Sequence, residues 1–134
     1  MYGCGWFDGG CFIFARAIQL WLGGSLAVLL RPEFLKLQAF DHVVVRLEHC
    51  SDFSEALYMD ADGLATKDEL VSRWRTRERL LNVQLEDPAD PIRFVGHLEN
   101  RSMSAWVAQQ LHIRFGNPEK SWIELQRNCN RVRI

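Results

Sequence analysis

Apolar positions follow two rhythms along this chain. From Cys11 to Leu22 only Arg16 and Gln19 interrupt an apolar run, which predicts a helix buried nearly all round. Gly23-Gly24 supplies its stop. Ser25 to Leu30 is a short continuous apolar run, read as a strand covered on both faces and broken by Arg31-Pro32. Glu33 to Phe40 fits a helical turn or a strand equally well. His42 to Glu48 has a β-branched centre and reads as a strand. Cys50 to Ser54 then makes a hairpin loop, Glu55 to Asp60 returns, and Ala61-Asp62-Gly63 turns the chain again.

The rhythm becomes helical at Thr66. Thr66-Lys67-Asp68-Glu69 has the spacing of a capping box. The helix it opens is expected to run to about Leu81, with Leu70, Trp74 and Leu81 on one face. Glu86 to Pro91 reads as a loop or linker, and Ile92 to Leu98 as a strand. Ser102 is placed to cap a helix reaching Phe115, with Met103, Trp106, Val107, Leu111 and Phe115 at helical spacing. Gly116-Asn117-Pro118 ends it, and Pro118 opens a short final helix carrying Trp122, Ile123 and Leu125. The order of helix, strands and helices predicts an α+β domain. Its central N-terminal helix packs on a small antiparallel sheet, followed by C-terminal helices. One domain is expected over 1–134, with a core at 1–82 and a strand-plus-helix extension at 83–134.

Composition narrows the function classes. With 134 residues, 48% of them apolar, the chain can bury a core without staples. A formal net charge of −1 gives no support to a nucleic-acid partner or a polybasic membrane contact. Phe12 to Leu30 is long enough to raise a membrane span, but Arg16, Gln19 and Gly23-Gly24 break it. Cys4, Cys11, Cys50 and Cys129 show no C-x-x-C spacing, so no metal and no other cofactor is expected. Without the basic start of a signal peptide, the thiols are expected reduced and the setting cytoplasmic, delivery into another cell staying open.

The densest chemistry lies at Asp8-Gly9-Gly10-Cys11. Two glycines permit a sharp turn and close backbone approach. They place Cys11 in the first turn of a helix, where free N–H groups and the dipole favour a thiolate. A cysteine in an apolar helix is otherwise a small core residue. Cys4 lacks a helix to activate it, and Cys50 and Cys129 sit in loop and tail. His42 opens a strand after Asp41, and Asp60 closes the next, so a hairpin would set them side by side. His49, His97 and His112 are the competing histidines. Asp60-Ala61-Asp62-Gly63 also suggests a calcium loop, but that register puts Tyr58 at the first ligand position. Asp62 is therefore a turn residue and the alternate for Asp60. The tryptophans are expected in core packing, with Trp6 and Asp62 as possible walls of a substrate cleft.

Gly-Gly-Cys11 opening a central helix, His42 opening a strand, and Asp60 ending the next resemble the papain-like cysteine hydrolase superfamily. The likeness is to its compact bacterial Cys-His-Asp branches: toxin and effector domains, deamidases, and transglutaminase-like and arylamine N-acetyltransferase-like cores. Tyr58-Met59-Asp60-Ala61-Asp62-Gly63 also resembles the aspartate-bearing strand and turn of those members. Coverage runs from about Gly9 to Trp74. The resemblance implies acyl transfer at a protein or peptide carbonyl or carboxamide, as a peptidase or glutamine deamidase. Cys11 would attack, His42 would hold the proton and Asp60 would fix the imidazole tautomer. The Cys11 amide, with Gly9 or Gly10, would form the oxyanion hole, because no glutamine or asparagine precedes the cysteine. The alternative is a noncatalytic interaction or inhibitor protein on the same scaffold, contacting its partner through 102–134.

Overall fold

A computed structural model of the chain describes residues 10–32, 40–47, 56–86 and 99–116. The described architecture is α+β, as the sequence pattern predicts. Helix α1 spans Cys11–Leu22, β1 Ser25–Leu30, β2 His42–Leu47 and β3 Leu57–Asp60. Strand β4 follows at Gly63–Thr66, helix α2 at Lys67–Glu78, β5 at Gln84–Glu86 and helix α3 at Arg101–Phe115. The strands form one antiparallel sheet in the order β4-β3-β2-β1-β5. Four strands run as a meander, and β5 joins the far edge beside β1.

Alternation along the strands builds two cores. On one face Leu26, Val28, Leu30, Val43, Val45, Leu47, Leu57 and Leu64 pack with Cys11, Phe12, Ala15 and Ile18 of α1. On the other, Ala27, Leu29, Val44, Tyr58 and Ala65 pack with Leu70 and Trp74 of α2. Helices on both sides explain why β1 reads as a continuous apolar run although its neighbours are antiparallel. Helix α3 packs outside α1. The Ser104 hydroxyl donates to the Ile13 carbonyl at 3.1 Å, and the Trp21 indole N–H donates to the Gly116 carbonyl at 2.7 Å.

Local signals set the ends of the elements. Gly23 (φ 80°) caps α1, its N–H bonded to the Gln19 carbonyl. Gly24 follows at φ 94°, and a Cβ there would lie 2.4 Å from the Arg46 carbonyl oxygen, so only glycine lets the connection pass this close to β2. The capping box of α2 is present: the Thr66 hydroxyl accepts from the Glu69 N–H at 3.3 Å, and the Glu69 carboxylate accepts from the Thr66 N–H at 3.2 Å.

Five expectations are corrected. Helix α2 stops at Glu78, where Arg79 turns left-handed (φ 55°), and Leu81 is 84% exposed rather than part of its apolar face. Gly63–Thr66 continues the turn as strand β4, because Leu64 and Ala65 alternate between the two cores. The stretch expected to open a linker at Glu86 instead ends edge strand β5, paired with β1. Helix α3 is capped by Asn100, whose side-chain oxygen accepts from the Met103 N–H at 3.1 Å, rather than by Ser102. Met103 and Trp106 face outward, while Ser104 and Val107 face α1. The expected strand at Ile92–Leu98, the final helix after Pro118 and nearly all of the Glu33–Phe40 segment lie outside the described residues. No described helix is long and apolar enough to cross a membrane.

Candidate functional site

His42 and Asp60 are brought together. The end of β1 is fixed to the start of β2 by Asp41. Its N–H donates to the Leu29 carbonyl, and its carboxylate accepts from the Arg31 N–H at 2.9 Å and from Arg31 Nη2 at 2.6 Å. That fork sets His42 opposite Leu29 in the register. On the other side β2 pairs with β3, and Asp60 closes β3 on the face that Val44 and Tyr58 share. His42 Nε2 and Asp60 Oδ2 are 2.9 Å apart, with side-chain exposures of 1% and 4%.

The contacts around this pair form a closed circuit. The other Asp60 oxygen accepts from the Asp62 N–H at 2.8 Å, shaping the turn into β4. The Asp62 carboxylate binds the Arg77 guanidinium, with Arg73 3.9 Å away. Arg77 lies over the Trp74 ring at 5.8 Å. Trp74 in turn stacks on His42, with centroids 4.3 Å apart and planes 8° from parallel. The circuit therefore ties β2, β3, the β3–β4 turn and α2 into one unit. Asp62 belongs to it as the anchor for Arg77. Sequence reasoning named His42, Asp60 and Asp62 but missed Trp74 and Arg77 as their partners. The signal available was the i, i+3 spacing of Trp74 and Arg77 on a helix that directly follows the aspartate turn.

The third expected member, Cys11, opens α1. The sulfur belongs to the α1-side core with Val43 and Val45. His42 and Asp60 belong to the α2 side. Successive residues of a strand point to opposite faces, so Val43 turns toward α1 where His42 turns toward Trp74. Cys11 is also only 4% exposed. Gly10 is the N-cap residue of α1, its carbonyl accepting from the Phe14 N–H at 3.0 Å. Gly9 and Trp6 lie outside the described residues, as do Cys4, Cys50, Cys129, His49 and His97. His112 is exposed on α3. Among the described residues, no group of three or more His, Cys, Asp or Glu side chains could hold a metal ion.

The surface carries a different feature. Along α3, Met103 (43% exposed), Trp106 (56%) and Ile113 (68%) fall with Gln110 on one outward stripe. The helix contains two arginines, one histidine and no carboxylate, and Arg114 flanks the stripe. No family model, no curated protein and no solved structure matches this chain.

Proposed function

We propose that the chain is a noncatalytic protein-interaction domain whose contact surface is the outer stripe of α3. The single observation behind this reading is that a tryptophan, an isoleucine and a methionine share an exposed helix face. Large exposed apolar groups in one patch mark interaction sites, and tryptophan is among the commonest anchors of an interface. The complementary partner is a protein segment with apolar anchors and an acidic flank, matching a helix that carries Arg114 and no acidic residue. Burial of Cys11 (4% exposed) and of the His42–Asp60 pair supports this reading over thiol acyl transfer.

The test is site-specific photo-crosslinking in the producing cell. A benzophenone side chain at position 106 or 113 is expected to give one discrete adduct, and at exposed Thr76 on α2 none. Mass spectrometry of the adduct should find an apolar, acid-flanked peptide. Arg114→Glu should weaken the adduct, and Cys11→Ala should leave it unchanged. Equal adducts from all three positions would overturn the proposal. So would rapid, selective alkylation of Cys11 by iodoacetamide that is lost in His42→Ala, which would restore the peptidase or deamidase reading.

A further inference from the structure

Beside the contact stripe, on the opposite flank of α3, a groove of about 580 Å³ separates α3 from the C-terminal half of α1. That volume lies in the range small ligands occupy. Its described lining includes Arg16, Gln19, Leu20, Glu99, Arg101 and Ala105. Arg16 and Gln19 are the two polar residues of an otherwise apolar helix, and both are used here.

The charged groups are held in place. Arg16 Nε donates to Glu99 at 3.3 Å, and Arg16 Nη1 donates to the Gln19 side-chain oxygen at 2.8 Å. The Gln19 amide nitrogen donates to the Gly24 carbonyl at 3.1 Å, so both ends of that amide are engaged. The Arg16 guanidinium also lies 5.4 Å from the Phe12 ring centroid. These described partners use two of its five N–H donors. Arg101 reaches the same Glu99 carboxylate at 3.8 Å, with its side chain 90% exposed. Among the described lining residues, two guanidinium groups on one carboxylate leave one positive charge. Leu20, 64% exposed, and Ala105 give it an apolar wall.

We propose that this groove binds a small amphipathic monoanion, a carboxylate with a short hydrocarbon body. The carboxylate would sit on Arg16 and Arg101, and the hydrocarbon would lie against Leu20 and Ala105. The site stands independently of the interaction stripe, since none of its residues belongs to that stripe.

Titrations of the full-length 15N-labelled chain with sodium octanoate, 1-octanol, sodium acetate and sodium phosphate test this. Octanoate is expected to give saturable amide shifts centred on Leu20, Gly24 and Ala105, with a dissociation constant of about 1 mM or below. Acetate, phosphate and octanol should bind at least about tenfold more weakly, because each lacks one half of the recognition. Arg101→Gln, on a side chain too exposed to matter for folding, should weaken octanoate severalfold, and Arg16→Gln/Arg101→Gln about tenfold. Equal response to octanol, equal response to phosphate, shifts centred on Met103 and Trp106 instead, or no saturation would each overturn the proposal.

Discussion

Replacing His42 by alanine removes the partner of a carboxylate that is only 4% exposed. Asp60 would keep its hydrogen bond from the Asp62 N–H but lose the imidazole 2.9 Å away. Breaking a buried pair by deleting one member costs about 3–5 kcal/mol, because the other charge stays buried. The parallel stack on Trp74 contributes about 0.5–1.5 kcal/mol within that range. An expected loss of about 4 kcal/mol is a large share of a domain's total stability. With a urea slope of about 2 kcal/mol/M, the unfolding midpoint should fall by about 2 M. The assay is urea unfolding followed by far-UV circular dichroism, with Asp60→Ala and the double variant completing a thermodynamic cycle. The cycle should return a coupling of about 1–3 kcal/mol. A catalytic histidine standing open in a cleft behaves differently, since its removal leaves stability nearly untouched. A loss below about 1 kcal/mol for His42→Ala would refute the assignment of this pair to the framework.

Two further substitutions test the backbone. Gly24→Ala places a Cβ 2.4 Å from the Arg46 carbonyl oxygen at a φ of 94°. It should lower stability by about 2–4 kcal/mol, read as a drop in thermal midpoint. Arg79→Gly relieves a left-handed residue at the C-cap of α2. Left-handed strain of about 1–2 kcal/mol is partly offset by the flexibility glycine adds to the unfolded chain, so a net gain of about 0.5–1 kcal/mol is expected in the same urea assay.

Much of the framework is legible without tertiary structure because its signals are local. The glycine pair after Leu22, the Thr66–Glu69 capping box and the β-branched centre of β2 each act within a few residues. Helix α1 and strand β1 accordingly occupy the positions their patterns predict. Strand β5 was missed because three residues carry too little pattern, and pairing with β1 stabilises it. Leu81 was misplaced because the helical rhythm continues past Arg79 while the backbone does not.

The candidate site divides the same way. Hairpin pairing of neighbouring strands was enough to predict that His42 and Asp60 meet. Which face of β2 carries the imidazole was not legible, because a strand covered by helices on both sides has no polar face to reveal it. The hydrophobic pattern determined the class of the domain, and the local motifs determined the ends of its elements. Only the tertiary structure decided that α1 lies on one side of the sheet and α2 on the other, with an apolar stripe of α3 left facing outward. The physical reason is that side-chain alternation is a property of the chain, whereas the helix covering each face is chosen by long-range packing.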